Sequence, residues 1–248
     1  MKAVYDDRAV ALQSLGLSKS EVNRAGQALR RWFRSEMTDR AKAEEAVAIV
    51  LRYRAAHSYP LVKANMGLRS MVKSEGCRVE VSQRLKRIST IFDKLRREPK
   101  MALARMQDIG GCRAVLDSID EVRRVEQRLK RNREPIGYND YIGRPRASGY
   151  RGVHVIVAYA GRDGEDRAIE IQLRTRTMNE WAFTVERLSG RLREDLKSGR
   201  GPAQVLDWLS VISEAMAIEE DGEIVQPDLT ARIEQLRSAA VPFFSSQP

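Results

Sequence analysis

The sequence predicts an α+β protein, a mixed β-sheet flanked by helices, with helical extensions on both sides. Three observations carry this. Apolar residues recur at helical spacing from Ser18 to Lys73, alternate with polar ones at strand spacing in segments between Val79 and Leu173, and return to helical spacing after Thr175. The 248 residues are 42% hydrophobic and 31% charged, the composition of a folded chain rather than a disordered one. The shifts in pattern divide the chain into a helical region 1–78, a central domain 79–197 and C-terminal helices 198–248.

Ser18 with Glu21 three residues on forms a capping box, and Val22, Ala25, Leu29, Trp32 and Phe33 follow at helical spacing. A second helix is expected over about Arg40–His57. Pro60 breaks the chain, and a third helix follows over Leu61–Lys73. From Val79 the pattern changes to a strand, with Val79, Val81 and Leu85 alternating with Glu80, Ser82, Arg84 and Lys86. Further strands are expected at Gly111–Leu116, Tyr150–Tyr159 and Ala168–Leu173, with a helix over Ser118–Arg133. Helices then run from Thr175 to about Lys197, from the Gly199–Pro202 break to about Glu220, and from Asp228 to Ala240.

Lys and Arg number 44 against 34 Asp and Glu, a formal charge of +10, so the surface attracts phosphates and polyanions. Cys77 and Cys112 are too few and too far apart for a disulfide scaffold or zinc knuckle and read as reduced thiols. With only His57 and His154 present, a multi-histidine metal centre is not expected. No run approaches the roughly 18 apolar residues of a membrane span, and acids stand near the N-terminus where a signal peptide would be apolar. A cytoplasmic protein without a membrane partner is expected.

Several strands carry polar groups in register on one face. Tyr150, Gly152 and His154 share a face opposite Val153, Val155 and Val157, and Glu170, Gln172 and Arg174 share one opposite Ile169, Ile171 and Leu173. Arg84 and Lys86 add two cations on one face, and Lys94 follows about two helical turns later. In Asp108-Ile-Gly-Gly-Cys-Arg113 an acid precedes two glycines and a strand-borne cation. Taken singly, each has a bland role as a solvated charge, a cap or a satisfied core histidine. Together they form a polar floor on strands whose other faces are apolar, and buried charges need partners or ligands. Cations for several phosphates and two acids for a divalent ion are the minimum for phosphoryl-group chemistry. No GxxxxGK[ST], helix-opening GxGxxG, or kinase HRD and DFG pair occurs, so side chains must hold the phosphates.

Four ordered blocks carry a family resemblance: Arg84-Leu-Lys86-Arg-Ile-Ser-Thr90-Ile-Phe-Asp-Lys94-Leu; Asp108-Ile-Gly-Gly-Cys-Arg113-Ala-Val; Asp140-Tyr-Ile-Gly-Arg-Pro-Arg146-Ala-Ser148-Gly-Tyr150-Arg-Gly-Val-His154; and Glu170-Ile-Gln172-Leu-Arg-Thr-Arg-Thr-Met-Asn179-Glu-Trp-Ala. Over roughly Val79–Arg187 the chain resembles the RelA/SpoT-type alarmone synthetase domain in its short, monofunctional form. It departs from the family pattern at Thr90, Ser148 and Arg187. The resemblance implies a nucleotidyltransferase-like fold and transfer of the β,γ-pyrophosphate of ATP to the 3′-hydroxyl of GDP or GTP, with release of AMP. By motif position it implies that Arg84 and Arg113 sandwich adenine while Lys86 and Lys94 hold the ATP phosphates. Asp108 and Glu170 would be the catalytic carboxylates serving Mg²⁺, with Glu170 near the attacking hydroxyl. On the acceptor side, Tyr150 would stack on guanine, Asn179 would read its edge, and Arg146, His154 and Gln172 would contact phosphate or ribose. The alternative the resemblance keeps open is a toxic relative that pyrophosphorylates the 3′ end of tRNA, favoured by the charge and by the basic stretches Arg123–Arg133 and Arg187–Arg200. No His-Asp dipeptide is present, so the family's hydrolase activity is not expected. A second copy of the chain and an antitoxin are partners the sequence leaves open.

Overall fold

The computed structural model describes residues 16–78 and 80–245. Three helices lead: α1 (Lys19–Phe33), α2 (Arg40–Ala56) and α3 (Ser58–Ser74). The Ser18–Glu21 capping box is formed, with the Ser18 side chain accepting from the Glu21 N–H and the Glu21 carboxylate accepting from the Ser18 N–H. Pro60 lies within the first turn of α3 rather than before it, because a first-turn N–H has no partner to lose inside the helix.

The sheet contains β1 (Glu80–Leu85), β2 (Gly110–Leu116), β3 (Gly137–Asp140), β4 (Val153–Ala160) and β5 (Asp166–Thr175), in the spatial order β1-β2-β5-β4-β3. Only β2 and β5 pair in parallel; the other three pairings are antiparallel. The expected start at Val79 falls outside the described residues. The strand expected from Tyr150 begins instead at Val153, because Gly152 takes φ +145° and turns the chain out of the strand. Strand β3 is a short Gly-Tyr-Asn-Asp edge segment without apolar alternation, and the sequence pattern did not announce it.

Between β1 and β2 lies α4 (Ile88–Arg97), and α5 (Ile119–Asn132) links β2 to β3. Helix α6 (Arg176–Leu192) follows β5, then a single 3₁₀ turn (Leu196–Ser198), α7 (Ala203–Glu220) and α8 (Pro227–Ala240). Among the described residues no helix is long and apolar enough to cross a membrane.

One face of the sheet is apolar. Val81, Ala114, Leu173 and Val153 form one row across it, and Cys112, Ile171 and Val155 contribute to the next. This face buries against Leu61, Ala64 and Leu68 of α3 and Val122, Val125 and Leu129 of α5. A second core joins α1, α2 and α4, and a third joins α6, α7 and the 3₁₀ turn through Trp181, Val185, Leu196 and Leu209. The sheet is thus anchored from one side only, which leaves its other face for polar side chains. Both cysteines are buried free thiols.

Candidate active site

The polar face is ordered by strand register. Arg84, Gly111 and Glu170 are direct cross-strand neighbours, and in the next row Ser82, Arg113, Gln172 and His154 stand side by side. Period-two alternation obliges His154 to face this side, since Val153 and Val155 are committed to the core. Above this floor is a cavity of about 580 Å³ lined by all of these residues except the core valines. Gly111 leaves the floor bare between Arg84 and Glu170.

At one end of the cavity, Asp108 sits in the turn that enters β2. Lys86 Nζ donates to its Oδ2 at 2.8 Å, and Lys94 Nζ lies 3.1 Å from Oδ1. Burial works against ionisation of this carboxyl, but the two ammonium groups outweigh it and hold its pKa below the usual range. Lys86 comes from the residue after β1 and Lys94 from α4, so Asp108 joins three separate segments.

Glu170 occupies the middle of the floor. His154 Nδ1 lies 2.9 Å from its Oε1, and Gln172 Nε2 donates to its Oε2 at 2.6 Å. Burial again opposes the charge, yet these hydrogen bonds, with the Lys197 ammonium beyond, bring the carboxyl down to about 2. Burial also lowers the His154 pKa against the pull of Glu170.

Arg113 and Arg84 are diagonal neighbours on adjacent antiparallel strands, within reach of each other for long side chains. Arg113 Nε is buried without a hydrogen-bond partner. Burial, followed by the charges of Arg174 and Arg84, lowers the Arg113 pKa. A half-buried guanidinium among cations with an unspent N–H is set up for an electron-rich or anionic ligand.

The acceptor-side residues divide. Arg146, Tyr150, His154 and Gln172 line the cavity, and Arg146 Nη2 donates to Tyr141 Oη at 2.7 Å. Asn179 does not line it; it lies in the first turn of α6 with its Oδ1 buried and unbonded. Tyr150, expected on the strand beside His154, instead precedes β4. Its ring is 0% exposed in the third core, against Trp181, and Lys197 Nζ stands 4.5 Å from its centroid. The turn that carries Lys197 is held by Leu196, buried in that core, and by Ser148 Oγ donating to the Lys197 carbonyl at 2.9 Å. Ser148, a departure from the family pattern, therefore anchors this turn.

Sequence reasoning missed Lys197, Glu186 and Asp195 as lining residues. Burial and the neighbouring Arg174 charge take the Lys197 ammonium down to about 7. No periodic signal marks it, because tertiary packing of one turn brings it in. Arg174 shares the polar face with Glu170 in the sequence pattern but was not assigned a role.

Residues 83–187 match the family described as the region found in RelA / SpoT proteins. The GTP pyrophosphokinase YjbM of Bacillus subtilis is 34% identical over 129 residues, covering 47% of this chain and 61% of that protein. A GTP pyrophosphokinase of Escherichia coli is 24% identical over 156 residues, 62% of this chain and 20% of that protein. The chain therefore spans less than two thirds of the length of either relative. In structure it is similar to the small alarmone synthetase 1 of Bacillus subtilis bound to its product pppGpp, with 26% identity, a TM-score of 0.60, and coverage of 69% of this chain and 92% of that one. All four sequence blocks fall within the matched segment, residues 83–187, and all but Asn179 of the side chains they supply to the expected site lie in or against the one cavity.

Proposed function

We propose that the protein is an ATP-dependent pyrophosphotransferase that moves the β,γ-pyrophosphate of ATP to the 3′-hydroxyl of GDP or GTP. The observation that carries this reading is one cavity lined by Arg84, Lys94, Asp108, Arg113 and Glu170, with Lys86 bonded to Asp108 beside it. The acceptor oxygen attacks the β-phosphorus, the bond from that phosphorus to the α,β-bridging oxygen breaks, AMP leaves with that oxygen, and the hydroxyl proton passes to solvent.

Each residue's part follows from its setting. Lys86 and Lys94 now neutralise Asp108, and a triphosphate entering this end offers them stronger counter-charges. Glu170, with both oxygens anchored, accepts the hydrogen bond of the acceptor hydroxyl and aims it. A carboxyl held near 2 is better matched to orienting that hydroxyl than to storing its proton. For Mg²⁺ the donor set fits: Asp108 and Glu170 are carboxylates lining one cavity, and the Glu170 charge acts on Asp108. Mg²⁺ is usually bound by one or two carboxylates with substrate phosphates rather than by an all-protein cage. When bound, the ion would neutralise charge on the phosphates. A guanine stacking on Tyr150 must displace Lys197 from the ring.

The cations on α5 that a long polyanion would use are partly satisfied in place. Arg123 pairs with Glu126 at 2.8 Å and with Asp140 at 2.9 Å, and Lys130 pairs with Glu126 at 2.5 Å. This supports a free nucleotide over tRNA as acceptor.

AMP formation tests the activity. With ATP and Mg²⁺, AMP should appear only when GDP or GTP is added, in step with its consumption. Release of ADP instead, or of AMP regardless of acceptor, would reject the reading. The Arg113→Lys variant keeps a charge but not a stacking plane, so its ATP dissociation constant should rise about tenfold. Unchanged affinity in an equilibrium titration would leave Arg113 a merely electrostatic role.

A further inference from the structure

We propose that Arg174 is the positioning residue that fixes Glu170 for transfer, through two hydrogen-bonded arms that end on its two carboxylate oxygens. The proposal rests on the pyrophosphotransferase reading and names a residue that acts through others rather than touching substrate.

The first arm starts at Arg174 Nε, which donates to Tyr150 Oη at 3.1 Å; Tyr150 Oη lies 2.5 Å from His154 Nε2, and His154 Nδ1 lies 2.9 Å from Glu170 Oε1. The second starts at Arg174 Nη2, which donates to Gln172 Oε1 at 2.6 Å, and Gln172 Nε2 donates to Glu170 Oε2 at 2.6 Å. Donor arithmetic gives every link one direction. A guanidinium can only donate, so the tyrosine hydroxyl accepts from Arg174 and gives its own proton to His154 Nε2. With Nε2 accepting, the imidazole carries its proton on Nδ1 and donates to Glu170. Both arms run from one cation to one anion.

The compensation of charge supports a positioning role. Arg174 is 3% exposed, and among the described residues no carboxylate lies within ion-pair distance of it. A buried guanidinium kept only for stability is ordinarily paired directly with an acid. Here its counter-charge is Glu170, reached through two neutral relays, an arrangement that polarises each bond toward the carboxylate and restricts its rotation. The backbone makes room for the ring of contacts. A Cβ at Gly152 would stand 3.2 Å from Arg174 Cγ and 3.3 Å from Tyr150 Oη, at φ +145°. The residue that ends the turn before β4 is thus a glycine where the two side chains meet.

The test compares wild type, Arg174→Lys, Tyr150→Phe and the double variant in steady-state transfer from ATP to GDP. Lysine retains the charge but not the fork that feeds both arms, and phenylalanine deletes one oxygen from the first arm. Arg174→Lys should lower kcat about ten- to a hundredfold with the KM for ATP within about twofold of wild type. Adding Tyr150→Phe to it should cost less than the product of the single effects, because the shared arm is already broken. A folded Arg174→Lys enzyme with wild-type kcat, or multiplicative losses, would overturn the proposal. Should Arg174→Lys fail to fold, Tyr150→Phe decides alone: kcat reduced at unchanged ATP KM supports the arm, and wild-type kcat overturns it. If wild type itself transfers nothing to GDP or GTP, it is the functional reading that fails, not this assignment.

Discussion

Glu170→Gln is expected to lower the transfer rate by on the order of a thousandfold or more, about 4 kcal/mol of transition-state stabilisation, in a protein that still folds. The substitution keeps the size of the side chain and removes its charge. It also turns an amide NH₂ toward a donor, either His154 Nδ1 or Gln172 Nε2, so the pair of hydrogen bonds that fixes the group cannot survive intact. Folding survives because the sheet is held by its opposite face, where Ile169, Ile171 and Leu173 are fully buried. Initial rates with saturating ATP and GDP, alongside a thermal melt, make the comparison. Near wild-type turnover in the folded variant would remove Glu170 from the mechanism.

Asp108→Ala carries the second large effect, and its two readouts should move apart. Without the carboxylate, Lys86 and Lys94 lose the counter-charge that both contact. The triphosphate of ATP then has no competitor for them, so the ATP dissociation constant should stay level or fall. The rate should nevertheless drop by on the order of a thousandfold, since one of the two acids assigned to the phosphates' counter-ion is gone. Equilibrium binding and single-turnover kinetics on the same protein separate the two. Loss of ATP binding together with rate would mean that Asp108 is needed to hold the two lysines in place.

The floor of the site was legible because strand alternation is rigid. Once Val153, Val155 and Val157 are assigned to the core, His154 must face the other way, and the same holds for Glu170 and Gln172 against Ile169, Ile171 and Leu173. What alternation cannot reach is chain that leaves the strand. Tyr150 read as a strand residue on the His154 face, whereas the positive φ at Gly152 redirects the backbone and sends its ring into the third core. Its hydroxyl still meets His154, so the two residues are joined by a hydrogen bond rather than by a shared face. Lys197 was invisible for a related reason. It follows the end of α6 at Leu192, where no period applies, and reaches the cavity because Leu196 and Ser148 pin one turn there. The short β3 escaped because an edge strand of Gly, Tyr, Asn and Asp carries no hydrophobic alternation. Asn179 was placed at the acceptor by motif position alone, and the start of α6 keeps it out of the cavity lining.

The measurement that tests the central claim most directly follows both terminal phosphates of ATP. The purified chain is incubated with Mg²⁺, ATP labelled at the γ-phosphate, and GDP, GTP or total tRNA in separate reactions. The account predicts label on the 3′-hydroxyl of GDP or GTP, with product heavier than the acceptor by two phosphates and one AMP formed per transfer. Label on the 3′ end of tRNA with none on free nucleotides, or a product heavier by a single phosphate, would contradict it.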